Sequence, residues 1–563
     1  MDYDVIVVGS GPGGLTAAVA LAQAGQKVLV CEQHEVPGGW THSFTLAGYR
    51  FSPGVHYVGD LGPGGRLRRI YEGLGLSHDL AFCEINPDGY DHIVVGDERF
   101  DFPKGEQNLI ERLKSRFPRE AEGIDGYFAA LHGLVDGLRQ LGHVRGLGDA
   151  ARAVGAAGQV LRWARRTGQD LIDAHISDPL LKGVLSGQSG DHGLPPSQVS
   201  VFFHAGVTHH YLDGGYYPLG GGFAIPRALV RALKRAGGEL RLRTPVARIL
   251  LEGKQAVGVQ LTDGTKISAK YVISNADPEV TFGRLVGREH LGGRLRRRLD
   301  HVKYSVSALS LFFAVDMDLR RAAGLDSGNY WLYDHADVDG LYRLGLTDQA
   351  LKADTPPAMF LTITTLKDPS KMHGGHHTCE AFVFVGYDAF RQWTHEKTGQ
   401  HSADYNALKE EFSWRMFRAL EKRIPGISQR VVFWSLGTPL TNAHYINVTR
   451  GSLYGIEKSP AQIGPAGFST QTEFEGLLLC GASTLSHGVA GATATGLSAA
   501  RSILNCRTAD LLTQDGPPLK IYPSEDITQW PPHLQAWIAR GRRKDPDDLA
   551  GAPGRPLPLR PDG

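Results

Sequence analysis

Residues 4–32 constrain the fold of this chain more than any other stretch. An apolar run at 4–8 leads into the loop Gly-Ser-Gly-Pro-Gly-Gly at 9–14, and an Ala- and Leu-rich stretch then leads to a second apolar run at 28–31 and to Glu32. Short apolar runs bounded by glycines predict buried strands, and the Ala-rich stretch predicts a helix. This order of strand, glycine loop, helix and strand predicts a Rossmann-type βαβ unit.

The glycines and the acid of this unit indicate a bound dinucleotide. Gly9 permits the tight turn, Gly11 lets the backbone approach a pyrophosphate, and Gly14 lets the helix pack on the sheet. Free amides at the start of the helix face the phosphates, and Glu32 follows the second strand, where an acid holds a ribose hydroxyl. The alternative is a glycine-rich turn that holds no ligand.

Length and charge narrow the classes of protein. A chain of 563 residues is too long for one core, so we expect two or three domains. Lys plus Arg (60) nearly balance Asp plus Glu (59), which disfavours nucleic acid as a partner. Five scattered cysteines predict a reducing compartment, and with no room for a signal peptide and no run of 18 apolar residues we expect a cytoplasmic protein.

The nucleotide-binding pattern is divided among separated segments. A hairpin pattern near 79–103, helical patterns over 105–188 and further strand patterns after 286 indicate inserted substrate-binding segments. We therefore predict an α/β fold with α+β insertions, in which nucleotide-binding segments 1–70, 215–285 and 471–507 alternate with substrate segments 71–214 and 286–470 and precede a tail, 508–563. The end of this tail, 551–563, is predicted to be disordered.

Several motifs carry a family resemblance. Gly-Val-His-Tyr-Val-Gly at 54–59, His210-Tyr211 followed by the glycine-rich 214–221, and the late glycines 481, 488 and 491 occur in order. The chain resembles flavin-dependent polyene oxidoreductases of the amine oxidase-like superfamily: phytoene desaturases, carotenoid isomerases and, most closely, retinol saturases. His209 and Leu219 depart from that branch, which commonly has Asn and a basic residue there.

The resemblance implies a Rossmann-type FAD-binding domain of the amine oxidase-like kind, discontinuous in sequence, with an inserted mixed-sheet and helical substrate domain. It places these residues near FAD: Gly9, Gly11, Pro12, Gly13, Gly14, Glu32, Gly39, Val246, Gly481, Val489, Ala490 and Gly491. No second Gly-x-Gly-x-x-Gly follows a strand, so a dedicated NADPH domain is not expected. The electron partner is left open among oxygen, a quinone and NAD(P).

Proton transfer beside a flavin requires a titratable group at the reacting bond. The candidates are His56, His210 and Tyr211, with Tyr57 and His209 as neighbours, because imidazole titrates near neutrality and phenol donates a hydrogen bond. Each has the alternative of a structural hydrogen-bonding role. The histidines in 371–378 have no acid or Cys at ligand spacing, so we predict a solvated loop and no metal site.

Arginines accumulate in 137–169 among apolar residues. They are Arg139, Arg145, Arg152, Arg162, Arg165 and Arg166. Such a stretch is typical of a peripheral contact with an anionic membrane surface, through which an apolar polyene would reach the protein. The alternative is the charged outer face of a helix packed on its own core.

These observations together predict an FAD-dependent oxidoreductase that saturates or desaturates one carbon-carbon bond of a carotenoid, a retinoid or a similar polyene. The first alternative is a flavin-dependent cis/trans isomerase, which leaves the mass of the substrate unchanged. A second is a non-catalytic lipid carrier on the same fold, which a colourless purified protein would favour. A third is a flavin amine oxidase.

Overall fold

A computed structural model describes residues 1–142, 157–158, 160–514 and 516–541. The predicted disorder of 551–563, together with Arg145 and Arg152, lies outside these residues. The strands are β1 Tyr3–Val8, β2 Val28–Cys31, β3 Phe44–Leu46, β4 Tyr49–Phe51, β5 Ala81–Glu84, β6 Asp91–Val95, β7 Glu98–Phe102, β8 Tyr216–Pro218, β9 Glu239–Arg241, β10 Val246–Glu252, β11 Gln255–Leu261, β12 Lys266–Ser274, β13 Ser307–Val315, β14 Asn329–Tyr333, β15 Ala358–Ile363, β16 His377–Val385, β17 Val431–Gly437, β18 Leu477–Leu479 and β19 Lys520–Pro523.

The α-helices surround these strands. They are α1 Pro12–Gln23, α2 Arg66–Gly73, α3 Glu106–Arg116, α4 Ala121–Gly142, α5 Gly168–His175, α6 Pro179–Leu185, α7 Val201–Tyr211, α8 Ala224–Arg235, α9 Gly293–His301, α10 Leu319–Ala323, α11 Val338–Gly345, α12 Thr364–Lys367, α13 Ala403–Glu421, α14 Pro439–Ile446, α15 Gly488–Leu504 and α16 Pro532–Gly541. A π-helix, Glu279–Gly287, follows β12.

The first sheet is built from three separated parts of the chain. Its parallel core has the order β18-β12-β1-β2-β9, and β10 and β11 extend it through antiparallel pairing with the first half of β12. The core strands β1 and β2 are apolar and almost fully buried, as parallel strands covered on both faces must be. Helices α1 and α15 pack closely here. The contact requires glycine at position 496, because a Cβ there would lie 2.2 Å from the Gly13 carbonyl oxygen.

The second sheet joins the two inserted segments. Its order is β17-β13-β16-β15-β14-β6-β7, with β14 and β6 parallel and the other pairs antiparallel. Strand β13 is buried along its whole length, between β16 and β17. The hairpin predicted near 79–103 is β6–β7, whereas β5 lies in a third sheet.

The third sheet ties the tail to the body of the molecule. Strand β19 pairs with β5, which also pairs with β8. Trp530, just after β19, is 2 % exposed and donates to the Pro523 carbonyl. The described part of the tail is therefore packed structure. The domain boundaries drawn from the sequence stay predictions.

Candidate active site

A cavity of about 1270 Å³ extends from the carboxyl ends of the first sheet to the face of the second sheet. The turn after β1, the start of α15 and the π-helix line one part of it, and helices α4 and α7 with strands β14, β15 and β16 line another. Residues from the three nucleotide-binding segments and the two substrate segments predicted in the sequence thus face one space.

Two helix N-termini open into this cavity. Gly11 precedes α1 and His487 precedes α15, and neither residue caps its helix with a side-chain hydrogen bond. Val489, Ala490 and Gly491, in the first turn of α15, line the cavity together with Gly9, Gly11 and Pro12 of the other turn. Uncapped amides at two converging helix starts make a site suited to a pyrophosphate, because their partial positive charges add.

Close packing explains the glycines of the first turn. Gly9 has φ +93°, which L-residues rarely adopt, and a Cβ on Gly14 would lie 2.3 Å from the Gly9 carbonyl oxygen. A Cβ on Gly11 would lie 2.5 Å from Asn275 Nδ2, and one on Gly13 would lie 2.9 Å from the Gly481 amide nitrogen. Gly13 and Gly14 do not line the cavity, so they shape the turn from behind.

Asn275 joins the three parts of the first sheet, although its role was not recognised in the sequence. It follows β12, its backbone amide donates to the Val8 carbonyl (2.9 Å), and its side-chain Oδ1 accepts from the Gly14 backbone amide (2.9 Å). Because Asn275 also faces Gly11 and Gly481, one side chain fixes the position of the glycine loop. An Asn directly after a buried strand was the signal in the sequence.

Glu32 lies where a ribose would be held. Its carboxylate accepts from the backbone amides of Ser10 (2.9 Å) and His34 (2.8 Å) and is 8 % exposed, with that surface toward the cavity. Oε2 also accepts from the Ser10 hydroxyl, so Oε1 is the oxygen that keeps a free lone pair for a further donor. Gly39 and Val246 line the same part, so these residues fit the adenosine side of a dinucleotide.

His56 lines the part of the cavity next to the second sheet. Its Nδ1 lies 2.9 Å from Glu380 Oε2, and Glu380 also accepts from the Ser52 amide (2.8 Å). Burial lowers the pKa of His56, and Glu380 opposes that shift. The buried Lys367 donates to the His56 carbonyl (2.7 Å), so the backbone of this loop is fixed as well.

His210 and Tyr211, the other predicted catalytic residues, end helix α7 and line the cavity. His210 Nε2 accepts from the Gly59 amide (2.8 Å), and burial lowers the pKa of His210 to about 4. The imidazole is therefore neutral at pH 7, with Nε2 already engaged. Tyr211 stacks on Tyr57 with ring centroids 4.3 Å apart, and burial raises its pKa well above the usual value.

An acidic pair beneath these rings was missed in the sequence. The Tyr57 hydroxyl oxygen lies 2.9 Å from Asp91 Oδ2 and 2.6 Å from Asp191 Oδ2. Asp91 begins β6 and Asp191 lies in a glycine-flanked turn after α6, so a separation of 100 positions in the sequence hid the pair. Asp191 lines the cavity, whereas Asp91 is 0 % exposed.

Aromatic side chains surround the remaining space. They are Phe202, Phe203, Trp331, Phe360, Phe382, Phe384 and Tyr454. A space lined in this way accepts a long apolar molecule and excludes water from it.

The mouth of the cavity is identified by residues that line it and are also exposed to solvent. Leu138 is 42 % exposed and Leu161 is 73 % exposed, and the exposed Arg165 lies beside them. Trp163 instead packs on the protein core, so the short stretch of chain around it has a buried side and an exposed side.

Between residues 1 and 541, apart from 143–156, 159 and 515, no helix is long and apolar enough to cross a membrane. Within the same part of the chain, no three His, Cys, Asp or Glu side chains group as metal ligands. In the predicted histidine loop, His376 Nδ1 lies 2.7 Å from the Tyr49 hydroxyl and His377 Nδ1 lies 2.9 Å from Thr365 Oγ1.

The discontinuous parallel sheet, the glycine turn and the two converging helix starts define a dinucleotide-binding α/β protein of the flavoenzyme kind. The chain belongs to the family of flavin-containing amine oxidoreductases, whose model matches residues 12–504. It is therefore a flavin-dependent oxidoreductase, and the predictions of fold class, family and enzyme are confirmed.

Known proteins are similar to this chain over most of its length. It is 31 % identical to an all-trans-retinol 13,14-reductase of Danio rerio over 90 % of this chain and 86 % of that protein. It is 27 % identical to a chloroplastic prolycopene isomerase of Arabidopsis thaliana over 80 % of this chain and 74 % of that protein. A solved putrescine oxidase has the same fold, with a TM-score of 0.57 at 17 % identity over 90 % of this chain and all of that one.

Proposed function

We propose that this enzyme uses FAD to add or remove two hydrogens across one carbon-carbon double bond of a carotenoid, retinoid or similar apolar polyene. The observation that carries the proposal is that the turn after β1 and the start of α15 line the same cavity as the aromatic side chains. Such a cavity binds a long apolar molecule, whereas a small amine would leave most of it empty. The relatives named as a retinol reductase and a prolycopene isomerase support the same substrate class.

FAD would be held by residues already described. The amides at the starts of α1 and α15 would receive the pyrophosphate, Glu32 a ribose hydroxyl, and the backbone near Val246 the adenine. When bound, the flavin supplies or accepts the hydride. The protein holds the reacting bond, keeps water away and handles the proton.

The predicted catalytic residues differ in what they offer a substrate. His56 faces the cavity with its ring fixed by Glu380, and Tyr211 contributes a ring that stacks on Tyr57. His210 instead holds the 54–59 loop in place through the Gly59 amide. We therefore propose His56 and Tyr211 as groups that touch substrate and His210 as a positioning residue.

The cavity mouth suggests the route of the substrate. Exposed Leu138 and Leu161 would enter the apolar edge of a bilayer while Arg162 and Arg165 meet anionic headgroups. A polyene would then pass from the lipid into the cavity without crossing water. The protein is accordingly proposed to be peripheral on a membrane surface, and its cytoplasmic location stays a prediction.

A flavin-dependent isomerase is the second candidate, favoured by the prolycopene isomerase relatives. The test is mass spectrometry of polyenes from carotenoid-producing cells with and without the protein, once its visible spectrum has shown bound flavin. A product that differs by two hydrogens supports the first proposal, and an isomer of equal mass supports the second. A flavin-loaded protein that alters no polyene would contradict both, and a colourless one would point to a lipid carrier.

A further inference from the structure

Two carboxyl groups deep in the molecule contact the hydroxyl group of one tyrosine. The Tyr57 hydroxyl oxygen is within hydrogen-bonding distance of both Asp91 Oδ2 (2.9 Å) and Asp191 Oδ2 (2.6 Å). A phenol has a single hydrogen, so it donates to one of them only. The other contact requires a second proton, because two ionised carboxylates around one hydroxyl would repel each other in a medium of low dielectric constant.

The surroundings decide which carboxyl group holds that proton. Asp91 accepts N–H donors from Gln188 (2.7 Å), Asn329 (3.0 Å) and Trp331 (3.1 Å), which all stabilise the ionised form. The Tyr57 hydrogen completes this set. Asp191 is therefore the protonated partner and donates to the Tyr57 oxygen.

Asp191 is also the partner that a substrate can reach. It lies deep in the molecule, yet part of its surface is accessible, and that surface faces the cavity. Its turn lies against the cavity wall, because a Cβ on the preceding residue, Gly190, would lie 2.2 Å from the Trp331 ring. The carboxyl group thus sits among the aromatic side chains that would surround a polyene.

We propose that Asp191 is the proton donor of the reaction, that burial beside Asp91 keeps it in the acid form and that the Tyr57 hydroxyl holds it in place; this inference rests on the proposed function. In a reduction, one alkene carbon gains a hydride, for which the reduced flavin is the two-electron donor, and its neighbour gains the Asp191 proton. The O–H bond of Asp191 breaks as a C–H bond forms. Asp191 is left as a carboxylate until water returns a proton after product release.

The charges around Asp191 give the sign of the pH dependence. Burial and the neighbouring Asp91 raise the pKa of Asp191 to about 8, while the Tyr57 hydrogen bond and the cation Lys367 oppose that shift. Other titratable groups near it are Tyr90, Tyr211, Tyr333, Tyr342 and Tyr454. Reduction should therefore be constant near neutrality and slow as the pH rises through about 8. The protonated form of Asp191 at pH 7 is the form that a reduction uses.

The first test observes the proton without requiring turnover. An infrared difference spectrum of wild type minus Asp191→Asn should show the C=O stretch of a protonated carboxyl group at pH 7, and this band should disappear as the pH rises through about 8. The same difference for Asp173→Asn, an exposed aspartate paired with Lys182, should show no such band. A carboxylate band for Asp191 at pH 7 would overturn the proposal.

The second test uses the polyene that the wild type alters. Asp191→Asn keeps the shape of the side chain but has no acidic proton, so kcat should fall about 100-fold or more while KM changes little. Its remaining rate should lose the decline above pH 8. A kcat within about threefold of wild type would overturn the proposal. If the wild type alters no polyene, the proposed function fails, and the infrared result still reports on the shared proton.

Tyr57→Phe provides an independent check that preserves the stacked rings. Once Asp191 is ionised, the Tyr57 hydroxyl can turn its hydrogen to that carboxylate, and this lowers the pKa of Asp191. Without the hydroxyl, the infrared band and the alkaline decline of the rate should both move to higher pH. If the substitution leaves the titration of Asp191 unchanged, the hydroxyl does not hold the acid in place and the proposal is wrong. This variant also remains informative if Asp191→Asn fails to fold.

Discussion

The contact of the cavity mouth with membranes can be tested through two arginines. Arg162 and Arg165 are exposed beside Leu161, whereas Arg166 lies 3.6 Å from Asp170 and is partly neutralised. An arginine near an anionic surface contributes about 1 kcal/mol. Replacing both with glutamine should therefore cost about 2 kcal/mol, which is roughly a 30-fold weaker affinity because about 1.4 kcal/mol corresponds to a factor of ten.

Leu161 should contribute in a different way. It is 73 % exposed, and burying such a side chain in lipid is worth about 1.5–3 kcal/mol. Leu161→Gln should thus weaken binding to neutral and anionic vesicles alike, by about tenfold or more. The arginine variant should lose affinity only for anionic vesicles, and added salt should remove the difference from wild type.

Co-sedimentation with phosphatidylcholine vesicles, with and without phosphatidylserine, measures both effects. The matched control replaces Arg294 and Arg297, which have the same spacing and are exposed on α9, a helix that does not line the cavity. The reasoning is refuted if the Arg162/Arg165 variant binds anionic vesicles as wild type does. Equal weakening by the control would also refute it, because attraction would then follow total charge and not this face.

Three further changes probe the cofactor cradle, the predicted histidine and the cavity. Gly11→Val should abolish flavin retention, measured as flavin absorbance per protein, because its Cβ would lie 2.5 Å from Asn275 Nδ2; Gly293→Val, whose Cβ meets open space, should retain it. His210→Phe leaves the Gly59 amide without its acceptor and should lower the free energy of unfolding by about 1–3 kcal/mol, seen as a lower Tm, whereas His210→Gln should restore it. A Phe variant of normal Tm that lacks turnover would instead make His210 catalytic. Gly206→Phe should narrow the cavity from α7 and raise KM for long polyenes without loss of flavin, and an unchanged KM would mean that substrate takes another path.

The nucleotide-binding part of the fold was predictable because its signals are local. The turn at 9–14 needs glycine at φ +93° and at close contacts, and both requirements appear as residue types within six positions. Buried parallel strands likewise appear as short apolar runs. The start of α15 was found from its small residues and from the family resemblance. The joining role of Asn275 was not, because a single polar residue after a strand has many possible uses.

The acidic pair was not predictable for a physical reason. Asp91, Asp191 and Tyr57 come from three elements, and the donors to Asp91 come from Gln188 and strand β14. No spacing in the sequence reflects contacts that only the tertiary fold creates. The predicted histidines were found because their residue type is informative by itself. The structure adds that His210 Nε2 accepts a hydrogen bond from a backbone amide, which residue type cannot reveal.

Substrate binding should help to keep Asp191 protonated until its proton is needed. An apolar polyene in the cavity removes the water that still reaches Asp191 and replaces it with hydrocarbon. Loss of water disfavours the carboxylate, so the pKa of Asp191 rises further and its proton is retained until the double bond accepts it. Asp91 is 0 % exposed and does not line the cavity, so substrate does not displace water from it. The apolar lining that selects a polyene is thus the same feature that keeps the proton donor in its protonated form.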